Sequence, residues 1–428
     1  MKQILLCILL LLLVIKISAQ TEKSLVFSLE DCLNYAYEHN YSLQSMRLSE
    51  DAAADTYEQS KKERLPSLSA SVSENLTNSS SSSASFSGSY GLSTSMTLYQ
   101  GGNIDRTIEQ SKLKKEMSAH QTSQYENSLI IQILQAFLTA IGNDELLRYQ
   151  EVVVQASEEQ WKQGKDQYRF GKILESEYLL LEAQYANDKN NVVSTQITRD
   201  NSLLALKKLL SMPAAENLQL LPPDTASVNA LGLLPTMEEV VESTMLTFPD
   251  IKISNYNVDI ATLNVNMSKA NYLPTISLHG SIGTGHTDFT NYGTQLSNRL
   301  NEQIGITMSI PIYDNSRTKS KVTQSRIALQ QAELDRRQTA LNIEQNVTTE
   351  YYDVVSAFNK YQTTTIRQNA YSKTFEVYRA QFAAGSITTV DLLQQQNNYI
   401  SALNDYIQSK YEFILKRKIL DVYMGRMN

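Results

Sequence analysis

Long apolar stretches are almost missing from this chain. Its 428 residues hold one, at the N-terminus, and the mean hydropathy is −0.32. A bundle of membrane-spanning helices, which needs about 20 apolar residues per span, is excluded. Cysteine is scarce, at 2. Cys7 lies inside the apolar run with no small residue before it, which argues against lipid attachment. Cys32 is then left alone, and no internal disulfide is expected. Proline occurs 8 times, glycine 15 times and tryptophan once. The histidines His39, His120, His279 and His286 are scattered, with no metal-ligand spacing. There is no phosphate-binding glycine loop and no nucleophile elbow. No catalytic centre, metal site or cofactor is expected. Basic residues are outnumbered by acidic ones, 38 to 45, which disfavours nucleic acid as a partner.

The one apolar run, "MKQILLCILLLLLVIKISAQ", has a basic start at Lys2, an apolar stretch from Ile4 to Ile15, and "ISA" before Gln20. That pattern predicts a cleaved signal peptide over 1–19, with an uncleaved anchor helix as the alternative. A cleaved leader implies export from the cytoplasm.

What the chain does contain is written twice. "LEDCLNYAYEHNYSL" at Leu29 resembles "MEEVVESTMLTFPDI" at Met237, and "RLPSLSAS" at Arg64 resembles "YLPTISLH" at Tyr272, both 208 residues apart. "MTLYQGG" at Met96 lies over "IPIYDNS" at Ile310, and Trp161, Tyr168 and Gly171 over Phe375, Phe382 and Gly385, all 214 apart. Gln184 over Gln396 and Met212 over Met424 give 212. Length therefore changes between Pro66 and Met96 and again just after Gly171, which predicts loops there. The expected repeats are 20–212 and 236–428, joined by a linker over 213–235.

Between Pro66 and Pro213, and after Pro311, proline is absent. Apolar residues such as Ile130, Ile133, Leu134, Phe137 and Ile141 follow helical spacing, as do Val347, Tyr351, Val354, Val355 and Phe358. These stretches predict long helices over 102–170 and 315–384, each about 68 residues or about 100 Å. Tip turns near 171 and 385 then lead into helices over 177–211 and 391–423. Shorter helices are expected over 42–65 and 250–273. The two shorter helices of each repeat sum to nearly the long one, which suggests an antiparallel coiled-coil rod.

Between the helices lie four short segments of alternating character. Leu68, Ala70 and Val72 share one face, as do Tyr90, Leu92, Met96 and Leu98, while Ile276, Leu278 and Ile282 do so in the second repeat. The fourth is "QIGITMSIPIYD", with Ile304, Ile306, Met308, Ile310 and Ile312 on one face and Gly305, Thr307 and Ser309 on the other. Strands are expected near 67–75, 89–99, 275–285 and 303–313, with polar loops between each pair. About ten residues per strand, apolar outside and small-polar inside, fits an outer-membrane barrel. Four strands cannot close one, because single-chain barrels need about eight, and open edges in lipid are too costly. Closure by copies of the same chain follows.

The order of elements, "LYQGG" opening a long helix, and "FAAGSITTVDLLQQQNNYISAL" from Phe382 resemble the TolC-type outer-membrane efflux proteins over essentially the whole mature chain. The resemblance implies a mainly α fold with a small β part. It implies a homotrimer whose four strands per chain make a twelve-stranded barrel in outer-membrane lipid. Below it runs a coiled-coil tunnel through the periplasm. Gly171 and Gly385 match the tip glycines, where a periplasmic adaptor docks, and cargo arrives from an inner-membrane transporter of the RND, ABC or MFS class. Asp391 matches an aspartate of a constriction ring, which would favour cations; a carboxylate offsetting the helix dipole is the other reading. Gln394 replaces the second ring aspartate, Ile387 a locking arginine, and Phe382 a tip tyrosine. Glu177 falls where the first repeat carries an acid, although Leu179 fits that position as well, and Arg169 with Glu175 is a candidate lock. The expected function is an exit duct of a tripartite efflux pump or type I secretion system, not an enzyme. The alternatives are a passive porin and a periplasmic coiled-coil scaffold.

Overall fold

The computed structural model describes residues 25–79, 82–223, 234–288 and 290–426. The signal-peptide segment and residues 224–233 of the linker lie outside them. In chain order the elements are β1 (Leu25–Phe27), α1 (Leu29–His39), α2 (Tyr41–Lys62), β2 (Ser67–Ser79), β3 (Ser82–Gln100), α3 (Asn103–Arg169), α4 (Glu175–Leu209) and β4 (Leu218–Leu220). They continue as α5 (Met237–Thr247), α6 (Pro249–Ala270), β5 (Thr275–His286), α7 (Tyr292–Asn298), β6 (Asn301–Ser309), α8 (Arg317–Ala383) and α9 (Thr389–Tyr423). The chain is mostly helical. Apart from α7, the helices come in two runs, each of 11, 22, 67 and 35 residues.

Local chemistry sets the boundaries. Ser28 with Asp31, and Thr236 with Glu239, form capping boxes at the starts of α1 and α5, whose sequences match at the offset of 208. Asn40 separates α1 from α2: its Oδ1 accepts from Leu43 N at 2.9 Å, and its Nδ2 donates to Leu209 O at 2.8 Å. Pro249 does the same job between α5 and α6 as the first residue of the new helix, where a missing N–H costs nothing. Residues with positive φ recur at matching places: Gly101 and Gly102 before α3, Asn315 and Ser316 before α8, Gly171 and Gly385 after them, Ser211 and Gly425 at the ends of α4 and α9. The offset is 214 at every pair. The expected change to 212 beyond the glycine turn does not occur, because both turns have the same length and Glu175 matches Thr389.

The chain divides into two compact units. One comprises the described residues of Ser45–Gln124 and Pro249–Asn342. It holds an antiparallel sheet of order β2-β3-β5-β6, whose outer strands, β2 and β6, each have one unpaired edge. Cross-strand partners share a face. Val72 pairs with Tyr90, Leu92 with Ile282, Met96 with Leu278 and Leu278 with Ile306, so the apolar residues of all four strands fall together. The other face is small and polar: Ser67 Oγ meets Ser95 Oγ at 2.9 Å and Ser69 Oγ meets Ser93 Oγ at 2.8 Å. Gly101 is required here, since a Cβ would stand 2.9 Å from Ala270 O.

Two strand expectations need correction. The polar segments 74–79 and 82–89 are strand, not loop: main-chain ladder bonds pair them, with Leu76 opposite Phe86 on the apolar face. At the other end β6 stops at Ser309, so Ile310 and Ile312 lie beyond the strand. Pro311 has no N–H to continue a ladder, and the two positive-φ residues Asn315 and Ser316 start the turn into α8.

The other unit comprises the described residues of Met1–Gln44, Tyr125–Phe248 and Ile343–Asn428. Its core includes Ile130, Leu134 and Val422, against which Leu29, Leu33 and Tyr37 pack. β1 pairs in parallel with β4, a small sheet with no signal in the sequence. Cys32 is fully buried there, and burial pushes its thiol up to about 12, which keeps it unreactive.

Candidate functional site

The residues singled out at the tips lie in the helical unit, in two turns built the same way. α3 ends in a Schellman motif: Lys172 N donates to Gln167 O at 2.8 Å and Gly171 N to Tyr168 O at 2.9 Å. α8 repeats it, with Ser386 N to Gln381 O at 3.0 Å and Gly385 N to Phe382 O at 2.9 Å. Gly171 and Gly385 have φ of +69° and +75°, and among the described residues nothing but the chain neighbours lies within 4 Å of where a Cβ would sit. Each glycine is there for its backbone conformation alone.

The acids six residues on are equivalent. Asp391 Oδ2 accepts from Thr388 N at 3.3 Å and from Thr388 Oγ1 at 2.7 Å, while Asp391 N donates to Thr388 Oγ1 at 3.2 Å. Glu177 Oε2 accepts from Leu174 N at 3.1 Å. Both are third residues of their helices, so each offsets the positive helix end and satisfies an orphan donor. That is the dipole role foreseen for Asp391. Glu177, not Leu179, is its counterpart. Arg169 stands 3.8 Å from Asp166, one turn back on its own helix, rather than with Glu175 as the candidate lock required. Gln394 is exposed and donates to Asn398 Oδ1 at 3.3 Å.

Around these turns the side chains divide sharply. Phe382 is 3% exposed and packs with Leu181, Phe375 and Leu392; Ile387 and Trp161 close the cluster. Trp161 stacks on Tyr185, and Phe375 on Tyr399, both with centroids 5.5 Å apart and planes within 11°. Gly164 lets α3 and α4 approach, since a Cβ there would strike Leu181. By contrast Phe170 is 77% exposed and Leu174 70%. Sequence reasoning missed both; their only signal is an apolar residue on each side of a turn glycine.

Of the strand residues, Ile304, Ile306 and Met308 share the uncovered apolar face, and Ile304 is 82% exposed. Glu74, Tyr90, His286 and Tyr292 gather at the hairpin end of this face. His286 Nε2 lies 3.1 Å from Glu74 Oε2, Tyr90 donates to Glu74, and the two tyrosine hydroxyls are 2.8 Å apart. Among the described residues no helix is long and apolar enough to cross a membrane.

A family model described as outer membrane efflux protein matches residues 32–211 and 241–426. The outer membrane protein TolC of Vibrio cholerae is 21% identical over 394 residues, covering 91% of this chain and 88% of that protein. The alkaline protease secretion protein AprF of Pseudomonas aeruginosa is 20% identical over 312 residues, covering 69% of this chain and 61% of that protein. In fold the chain is similar to the Campylobacter jejuni CmeC outer membrane channel, with a TM-score of 0.79 at 17% identity over 94% of this chain and 87% of that one. CusC gives 0.78 at 16% identity, over 92% and 91%.

Proposed function

The chain belongs to the outer membrane efflux protein family, and from that premise we propose that it is the outer-membrane exit duct of a tripartite efflux pump or a type I secretion system. Its relatives include a protein named for protease secretion and one named for toxin and drug export. The duct is a passive conduit rather than an enzyme. It receives cargo from an inner-membrane transporter through a periplasmic adaptor.

The observation that carries this reading is the sheet. Four strands with two open edges and an apolar face left exposed are not a finished structure. In lipid each unpaired main-chain group costs several kcal/mol, so only a closed ring is stable. Three copies, β6 of one beside β2 of the next, give twelve strands with the apolar face to lipid and the Ser/Thr/Gly face to the lumen. The runs 20–212 and 236–428 then act as tandem repeats supplying the coiled-coil tunnel. The turns at Gly171 and Gly385 form its periplasmic tip, with Phe170 and Leu174 offered to the adaptor and Asp391 near the gate.

The facing is tested by charge. Ile306→Arg puts a guanidinium on the lipid side at a cost of about 2–4 kcal/mol near mid-membrane, whereas Thr307→Arg points into water. Heat-modifiable trimer in outer-membrane fractions should fall strongly for the first and little for the second. Equal assembly of the two would sink the assignment, and a wide, permanently open pore in planar bilayers would point to a porin instead.

A further inference from the structure

Asp188 is an acid in a place where an acid is costly. It sits on α4 in the helical unit and is 3% exposed. Its Oδ1 accepts from Gln184 Nε2 at 2.9 Å, and its Oδ2 from Gln396 Nε2 of α9 at 3.0 Å. Ser157 of α3 is a third donor, although its hydroxyl also reaches Val154 O at 3.1 Å. These are its hydrogen-bonding partners on α3, α4 and α9, and none of the three is charged. Burial pushes the Asp188 carboxyl above the usual carboxylate range, against the pull of the three hydrogen bonds.

The surroundings are incompletely satisfied. Gln396 is 1% exposed, and its Oε1 has no hydrogen-bond partner among the described residues. Gln160, one turn from Ser157, is 3% exposed, with neither amide atom bonded to any of the described residues. Such groups cost free energy unless an alternative state uses them. Protonated Asp188 keeps its bond to α9 in another form: its O–H can donate to Gln396 Oε1 after an amide flip, and Nε2 then takes the unpaired place. The fold itself does not require the acid. At the matching place in the second run, 214 residues on, stands Ala402, fully buried.

We propose that Asp188 is a positioning residue of the gate, clamping α4 to α9 when protonated and loosening them when ionised. The sign follows from burial. The carboxyl is harder to ionise packed than opened to water, so the packed state gains stability that is full below the ordinary carboxylate range. That gain is lost as pH rises through the raised value. A channel whose tip meets the periplasm would thus be held tighter in acid surroundings. The gate role rests on the reading of the chain as an efflux duct; the clamp does not.

The test is hydrogen exchange on the full-length protein in detergent, from about pH 4, the ordinary carboxylate range, to about pH 8 and corrected for intrinsic rates. Exchange in residues 184–190 and 393–400 should rise several-fold with pH in the wild type and stay flat in Asp188→Asn. Asp188→Ala, which copies Ala402, provides a second flat control that keeps the packing. Flat exchange in the wild type, or an undiminished rise in both variants, overturns the clamp. Opening probability in planar bilayers should rise with pH in the wild type and not in Asp188→Asn. If it ignores the substitution while exchange responds, the gate role is overturned and the clamp stands.

Discussion

The two glycine turns have nearly the same backbone and opposite surroundings. Each closes with the same pair of Schellman bonds, turns on a glycine with φ near +70°, and opens its next helix with an acid at the third position. Yet at the second turn Phe382 is buried in an aromatic and leucine cluster. At the first, Tyr168 in the matching place is 40% exposed, and Phe170 and Leu174 stand in solvent. A turn's path is therefore set by a few main-chain demands, while its anchoring is set separately by what lies beneath. In a duct, the first turn would be the one free to engage a partner and the second the one fixed to the wall.

The sharpest way to break this comparison is to truncate one aromatic from each turn. Phe382→Ala empties a buried site and should cost about 3–5 kcal/mol. Phe170→Ala removes a side chain that touches little and should stay within about 0.5 kcal/mol. Urea denaturation of the detergent-solubilised protein, followed by far-UV circular dichroism, separates the two. A Phe170→Ala loss rivalling that of Phe382→Ala would mean that the first turn is anchored after all.

How far these differences can be read from sequence depends on where the information lies. Proline gaps and helical spacing announce the long helices, and period-two alternation announces the apolar strand face, because both signals are local. The family resemblance places Asp391 and Gly385 by motif. The strand segments 74–79 and 82–89 carry only a weak amphipathic signal, since Leu76 and Phe86 stand among small and polar residues and the main-chain ladder pairs them. Ile310 and Ile312 continue an apolar pattern past the point where Pro311 ends the donors. Tyr168 and Phe382 align well, yet their burial differs because of residues brought up by other helices. Asp188 belongs to no motif, and its character comes wholly from burial beside Gln184, Gln396 and Ser157.

Glycine replacement probes what the two turns share. Both glycines hold a left-handed conformation with open space around them. Gly171→Ala and Gly385→Ala should each cost about 1–2 kcal/mol, the backbone term alone. The two losses should agree within experimental error in the same denaturation assay. A markedly larger loss at Gly385 would show that the buried cluster resists the small backbone shift an alanine imposes, so that path and anchoring are coupled.

The smallest difference lies in the caps. Thr388 accepts from Asp391 N through its hydroxyl, whereas Leu174 has the same extended cap geometry, φ −75° and ψ 155°, with no side-chain bond. Thr388→Ala should cost about 1 kcal/mol. Leu174→Thr should gain a similar or slightly smaller amount, because the new hydroxyl meets Glu177 N and the lost leucine was mostly in water. The gain should appear as slower amide exchange over residues 175–178. If Leu174→Thr stabilises the turn but weakens export in cells, the exposed leucine is retained at the expense of a better cap. That outcome identifies the first turn as a contact surface. Stabilisation with export unchanged leaves the two turns different in anchoring only.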